Sequence, residues 1–352
     1  MTTKVYIDVK DGYDVIIGRK LLNKAGEIFK EYGISGKLGI VTDSNVAPLY
    51  LDTLRKSLED HGYEVISYIF PAGEKSKNFA TLSDILNFFA KSGMTRKDVA
   101  IALGGGVTGD ITGFAAGVYM RGISYVQIPT TLLASVDSSV GGKTAVDLES
   151  GKNLAGVFIQ PKLVISDTET LKTLDKEIYS DGMAEVIKTA ILGDSLLFEK
   201  LESEEDIDEY IVTHCVNYKG KIVSEDEFEM GVRKLLNLGH TPAHSIEKLS
   251  SYTLSHGHAV GIGLSMVAKA SYREGLLSRE SAIKILKLLD KYSLSTECTY
   301  SPLEMAKEAL FDKKREKNSI NVIKISDIGK CIIETISTDK LEEFFKKGLG
   351  DI

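Results

Sequence analysis

The chain has 352 residues, 43% of them hydrophobic and 26% charged, and a formal net charge of -7. That balance is globular, with length for two domains. The acidity excludes a general nucleic-acid binder, which would carry clustered Lys and Arg, but leaves room for a small anionic ligand in a local basic pocket.

Three widely spaced cysteines, Cys215, Cys298 and Cys331, form no disulfide framework and fit a reducing compartment. The N-terminal stretch has no basic segment followed by an apolar core, and no run of about 18 apolar residues occurs anywhere. The expectation is a cytoplasmic protein with no membrane span.

Along the first half, strands and helices alternate. Tyr6–Val9 and Asp14–Gly18 read as a hairpin around Asp11-Gly12. Lys37–Thr42, Glu64–Phe70 and Asp98–Leu103 are short runs rich in Val and Ile, followed by Tyr125–Ile128 and Leu163–Ser166. Helical patterns lie near Leu21–Tyr32, Val46–His61 and Ala80–Ser92. This alternation predicts a parallel sheet covered on both faces. Beyond about Asp167 the spacing is helical, over Glu177–Leu192, Leu196–Lys219, Val232–Leu249, Ala259–Glu274 and Ser281–Tyr292, with one late strand at Ile320–Ile325. The prediction is an α/β chain: a Rossmann-like domain over 1–170 and a mainly helical domain over 171–352.

Gly104-Gly105-Gly106-Val107-Thr108-Gly109-Asp110 follows a predicted strand and opens a predicted helix. Glycines there permit close backbone approach, and a helix N-terminus suits a pyrophosphate. The acidic residue expected some twenty positions later in a Rossmann fold is missing, because that region reads Ile128-Pro129-Thr130-Thr131. Either a dinucleotide binds in another way, or the loop is only a tight turn.

Five of the six histidines lie between residues 214 and 258. His240, His244 and His256 are candidate metal ligands, and Glu185, in the apolar run GMAEVIKTA, is a candidate carboxylate. His240 and His244 share a face if one helix runs through both. If Thr241-Pro242 instead starts a helix between them, they point apart. A lone His is more often an ordinary hydrogen-bonded residue, and Glu185 with Lys188 also reads as an i,i+3 ion pair.

Assembled, these segments resemble the sugar-phosphate cyclase family, and within it the 3-dehydroquinate synthases, from roughly residue 37 to 330. The motifs are GEKSK at 73–77, GGGVTGD at 104–110, Arg121-Gly122, IPTTLLASVDSSVGGKTAVD at 128–147 and GKNL at 151–154. They continue with GMAEVIKTA at 182–190, Arg233, NLGHTPAH at 237–244, His256-Gly257 and Asp312-Lys313-Lys314.

The resemblance implies an NAD site using Asp43, the loop of Ala72, Gly73, Glu74, Lys75, Ser76 and Lys77, and the turn of Gly105, Gly106, Val107, Thr108, Gly109 and Asp110. It adds Thr130, Thr131, Lys143, Lys152 and the run Thr170, Leu171, Lys172 and Thr173, with Glu74 supplying the missing ribose-binding acid. Glu185, His240 and His256 become ligands of Zn2+ or Co2+, and His244 a substrate-facing base. Lys143, Asn153, Asp137, Lys188, Lys219, Arg233, Asn237 and Lys313 or Lys314 would line a sugar-acid phosphate. Arg121 would reach into a neighbouring subunit's site, implying a homodimer.

The implied reaction converts 3-deoxy-arabino-heptulosonate 7-phosphate to 3-dehydroquinate. It proceeds by transient oxidation with NAD, loss of phosphate, reduction, ring opening and an intramolecular aldol addition. Three positions depart from the family's habit: His258 where Glu is usual, Asp175-Lys176-Glu177 where Pro and Arg are usual, and a glycine-poor stretch after Lys314. Other readings are a cyclase for a different sugar phosphate, a metal-dependent polyol dehydrogenase, and an inactive NAD-binding module. A neutral polyol needs no lining of Lys and Arg.

Overall fold

In the computed structural model, residues 2–203, 208–312 and 318–352 are described, and the chain divides into two compact units. The first is Met1–Leu174 with Asp208–Ser224, and the second is Asp175–Ile207 with Glu225–Ile352. The sequence predicts two contiguous stretches, 1–170 and 171–352, whereas the units found interleave.

The first unit is built on a seven-stranded sheet. In chain order its strands are β1 Thr3–Ile7, β2 Tyr13–Gly18, β3 Leu38–Asp43, β4 Val65–Phe70, β5 Val99–Gly104 and β6 Ser124–Pro129. The hairpin β7 Lys143–Leu148 and β8 Gly151–Phe158 stands outside the sheet, and β9 Leu163–Asp167 returns to it. The order across the sheet is β1-β2-β9-β6-β5-β3-β4; β1 is antiparallel to β2 and every other pairing is parallel.

Val99, Ile101 and Leu103 face one core with helices α1 Ala25–Glu31 and α2 Asp52–Glu59, through Phe29, Leu54 and Leu58. Ala100 faces the other core, with α3 Phe79–Lys91 and α4 Gly106–Val118, through Ile85, Phe89, Ile111 and Phe114. Burial on both faces explains why these strands read as unbroken apolar runs. The order reverses between β3 and β5, so their carboxyl ends form the topological switch point where α/β sheets bind ligands.

Three predicted elements differ. The opening strand is Thr3–Ile7 rather than Tyr6–Val9. Of the expected helix Leu196–Lys219, the described residues carry α6 Ser195–Ser203 and α7 Asp208–Glu225, the second running six residues past Lys219. Residues 208–224 of α7 belong to the first unit, where Gly220 lies so close to Ile7 that a Cβ would come within 2.6 Å of its Cδ1. The expected helix Val232–Leu249 is a 3-10 turn, Val232–Asn237, and then α8 His240–Leu249, because Gly239 takes φ 78° and breaks the run.

The second unit is otherwise helical: α5 Lys176–Gly193, α9 His256–Arg273, α10 Arg279–Lys291, α11 Pro302–Asp312 and α12 Leu341–Gly348. The late strand β10 Ser319–Asp327 pairs antiparallel with β11 Lys330–Ser337, which sequence patterning did not find. Among the described residues, no helix is long and apolar enough to cross a membrane.

Candidate functional site

In the first unit, five of the segments predicted to hold a dinucleotide follow or end parallel strands of the sheet, whereas Lys143 and Lys152 lie on the separate β7–β8 hairpin. Asp43 ends β3, Ala72–Lys77 follows β4, the glycine turn follows β5, Thr130-Thr131 follows β6 and Thr170–Thr173 follows β9. The 43 carboxylate shapes the switch point: Oδ1 accepts from the N–H groups of Asn45 and Val46 at 2.9 and 3.1 Å, and Oδ2 accepts from the Thr108 hydroxyl at 3.1 Å. Thr130 donates its N–H to Gly104 O at 3.0 Å, tying the β6 loop to the turn. Tyr50 donates to the carbonyl of Thr170 at 3.2 Å.

Lys77 is buried and donates to Asp110 Oδ2 and Asn153 Oδ1, each at 2.5 Å. Burial would push its ammonium down, but Asp110 and Glu74 outweigh this and hold it above its ordinary value. Lys152 reaches within 4.0 Å of Glu74. Lys219, on α7, lies 2.8 Å from Asp137 Oδ1 and donates to the Asp137 carbonyl at 2.6 Å. Lys143 begins β7 and is exposed. Arg121 is exposed, and with Met120 and Gly122 it forms three successive positive-φ residues at 50°, 69° and 118°.

In the second unit, α5 carries Glu185 and Lys188 on a heavily buried stretch, 1% and 2% exposed. Their side chains are in direct contact as an i,i+3 pair. Glu185 Oε1 also faces His240 Nε2 at 3.6 Å and His256 Nε2 at 3.4 Å, yet both carboxylate oxygens lack a well-formed hydrogen bond. Tetrahedral bonds of about 2.1 Å set ligand atoms roughly 3.4 Å apart, so these two separations fit a cation held among the three groups. Among the described residues, Glu185, His240 and His256 are the one group of at least three ligand-type side chains whose ligand atoms lie within 4.8 Å of one another.

His240 Nδ1 lies 3.1 Å from the carbonyl of Leu238, so this nitrogen donates and Nε2 keeps its lone pair toward Glu185. Burial and the Lys188 ammonium push His240 down to about 3, keeping it neutral and ligand-competent. Burial alone would push the Glu185 carboxyl up; Lys188 and the two imidazoles outweigh it and hold it well below the usual range. Burial likewise pulls His256 down, but Glu185 and Glu247 outweigh it and lift the group to about 10.

The start of α8 settles the orientation of His240 and His244. The helix begins at His240, after Gly239, and not at Thr241-Pro242. Both residues therefore sit on one helix, with ring centroids 5.5 Å apart. His244 is nevertheless outside the three-residue group. Arg233 is 2% exposed; its N–H donates to Asp226 Oδ2 at 3.0 Å, and its guanidinium contacts the Glu227 carbonyl. Asn237 donates to Glu229 Oε1 at 2.6 Å. Lys313 and Lys314 lie outside the described residues.

Two buried or half-buried carboxylates escaped the sequence reading. Glu247 on α8 lies 3.5 Å from His256 Nδ1. The signal was present: His240, His244 and Glu247 stand at i, i+4 and i+7, one face of a helix. Asp181 on α5 accepts from the His258 N–H at 2.9 Å, from Ser255 Oγ at 2.6 Å, and faces His258 Nδ1 at 3.0 Å. It thus caps α9 from another helix.

The profile described as 3-dehydroquinate synthase N-terminal matches residues 67–181, and its C-terminal counterpart matches 182–315. A 3-dehydroquinate synthase from Clostridium acetobutylicum is 41% identical over 345 residues, 96% of this chain and 97% of that protein. The chain belongs to the 3-dehydroquinate synthase family. Another member, from Clostridium perfringens, is 43% identical over 347 residues, covering 96% and 99% of the two chains.

Solved structures agree on the fold. A 2-epi-5-epi-valiolone synthase from Streptomyces hygroscopicus, with NAD+ and Zn2+ bound, superposes with a TM-score of 0.87 at 26% identity, covering 96% of each chain. A 2-deoxy-scyllo-inosose synthase complexed with carbaglucose-6-phosphate, NAD+ and Co2+ gives 0.85 at 24% identity, covering 99% of this chain and 100% of that one.

Proposed function

We propose that the chain converts 3-deoxy-arabino-heptulosonate 7-phosphate to 3-dehydroquinate and phosphate, a carbon–oxygen lyase reaction of the shikimate pathway toward chorismate and the aromatic amino acids. What carries the reading is the Glu185–His240–His256 cluster, its carboxylate buried and its imidazoles half-buried, within a chain matched over nearly its full length by synthases of that name. The solved relatives that hold other cyclase activities are only 24–26% identical, which favours the dehydroquinate reading.

The residues present suit both implied cofactors. Glu185, His240 and His256 would hold Zn2+ or Co2+: a buried carboxylate whose oxygens make no well-formed hydrogen bond and the neutral His240 are what a borderline cation requires. NAD would lie at the switch point, near Asp43, Glu74, the turn 105–110 and Thr130-Thr131, where loop backbone and the α4 N-terminus suit a pyrophosphate. When bound, the cation supplies Lewis acidity toward substrate hydroxyls, and NAD accepts and later returns a hydride.

The chain's own groups bind and orient. Lys188 and Arg233, both buried, supply fixed positive charge for a phosphate or carboxylate at low solvation. Asn237 would add a hydrogen-bonding amide, and His244, whose ring centroid is 5.5 Å from that of His240, would accept a proton from substrate. Lys143, Asn153, Asp137 and Lys219 of the first unit keep the substrate role their motifs imply, as do Lys313 and Lys314. A homodimer, with Arg121 serving the neighbouring subunit, and a cytoplasmic setting complete the reading.

The test follows absorbance and inorganic phosphate in one sample with NAD limiting. Phosphate in large excess over NAD, with no build-up of NADH, is expected. One NADH per substrate and no phosphate would mark a polyol dehydrogenase instead.

A further inference from the structure

His256 presents both ring nitrogens to buried carboxylates, Nε2 to Glu185 at 3.4 Å and Nδ1 to Glu247 at 3.5 Å. A ligating imidazole can offer only one nitrogen to a cation, and the other must carry its proton to an acceptor. His240 satisfies this with the Leu238 carbonyl at its Nδ1, 3.1 Å away. For His256 the corresponding acceptor is Glu247, only 4% exposed and one helical face along from His240 on α8. Glu247 stands outside the three-residue group and reaches it through the far side of the His256 ring.

We infer that Glu247 is a positioning residue of the metal site, holding the Nδ1–H of His256 so that Nε2 points at the position shared with Glu185 and His240. The inference rests on the metal reading above and adds a residue that contacts neither the cation nor substrate. α8 then serves the site twice, giving a ligand at its first residue and orienting a ligand from α9 two turns later. A carboxylate acceptor also makes the imidazole a better donor than a carbonyl would, so removing it weakens the site beyond the loss of aim.

The experiment measures zinc affinity of the full chain by competition with a chelator, and the visible spectrum of the cobalt-loaded protein. Four proteins are compared: the unaltered chain, Glu247→Ala, Glu247→Gln and Glu185→Ala. Outer partners of ligating His are worth roughly 10–100-fold in affinity. Glu247→Ala is therefore expected to lose zinc affinity by that factor and to shift the cobalt bands. Glu247→Gln, which keeps an acceptor oxygen of the same shape, should lose less than Glu247→Ala. If Glu247→Ala fails to fold, a loss in Glu247→Gln with thermal stability of the metal-free protein unchanged still supports the role.

Unchanged zinc affinity and cobalt spectrum in both Glu247 variants, with Glu185→Ala losing zinc, would overturn the positioning role and leave the metal site standing. Zinc bound equally well by Glu185→Ala would remove the metal site itself, and this role with it.

Discussion

Each unit buries an ammonium against a carboxylate, and the two arrangements have opposite hubs. In the first unit the hub is a cation: Lys77 donates to Asp110 and Asn153, with the Glu74 charge also bearing on it. In the second the hub is an anion: Glu185 is met by Lys188, His240 and His256. A lysine ringed by acceptors has its charge answered by the chain. A carboxylate met by an ammonium, a neutral imidazole and a protonated one leaves a place that a metal ion can take once His256 gives up its proton. Buried ion pairs of equal proximity can thus differ in purpose, and the titratable partners mark the difference.

The largest expected effect breaks this contrast directly. Glu185→Gln should abolish retained zinc and cut phosphate-releasing turnover by more than the roughly 10–100-fold that outer partners cost. Asp110→Asn should leave zinc content, read by elemental analysis, at the level of the unaltered chain. Equal zinc loss in both variants would erase the distinction between the hubs.

Next in size, Arg233→Ala should lower kcat/KM tenfold or more, since a charge-assisted contact in a desolvated site is worth roughly 1.5–3 kcal/mol. Lys143→Ala should do likewise, although Lys143 is exposed in the chain. Steady-state kinetics giving a loss for Arg233 and none for Lys143 would confine substrate recognition to the second unit.

A smaller and more specific effect concerns protons. His256, raised to about 10, is protonated at neutral pH without a metal, and must lose that proton to become a ligand. Zinc uptake at pH 7 should therefore release about one proton, and affinity should rise with pH until His256 deprotonates by itself. Calorimetry in two buffers of different ionisation enthalpy reads this; uptake without proton release would contradict the anionic hub.

The smallest effect lies away from both hubs. Burial would push the Glu274 carboxyl up, but Lys324 and Lys347 outweigh it and hold it below its ordinary value. Its contribution is then complete above a pH of about 4.5 and is lost as pH falls through the lowered value. Glu274→Gln should lower Tm by about 2–4 °C at pH 7, and less at pH 3. A constant difference across that range would remove the carboxylate's charge from the account.

The parallel strands were legible because both faces are buried, so β3, β5 and β9 read as apolar runs. The hairpin β7–β8 was not: Gly151–Phe158 buries no residue fully, begins with two half-buried and then two exposed residues, and contains two glycines, so it shows neither an apolar run nor a clean alternation. The placement of α7 with the first unit depends on tertiary contacts such as Gly220 against Ile7, which leave no local mark. Glu185, His240 and His256 were legible through family motifs, and spacing alone could not separate His244 from them. Asp181 was illegible because its hydrogen bonds go to α9, more than seventy residues away.

On α5, Asp181 and Glu185 are one helical turn apart, and both address the first turn of α9, Asp181 through the His258 N–H and Glu185 through His256. Gly257 between them lies so near the Asp181 carbonyl that a Cβ would come within 2.0 Å of it. The two helices therefore mesh like a rack with two teeth. A slip of α9 by one turn, roughly 5.4 Å, would disengage both teeth together, so a cation held by Glu185 and His256 would not leave along that path without uncapping α9. In zinc-loaded protein the rate of zinc loss would then time the opening of this helix pair, and amide hydrogen exchange at the start of α9 should keep the same time.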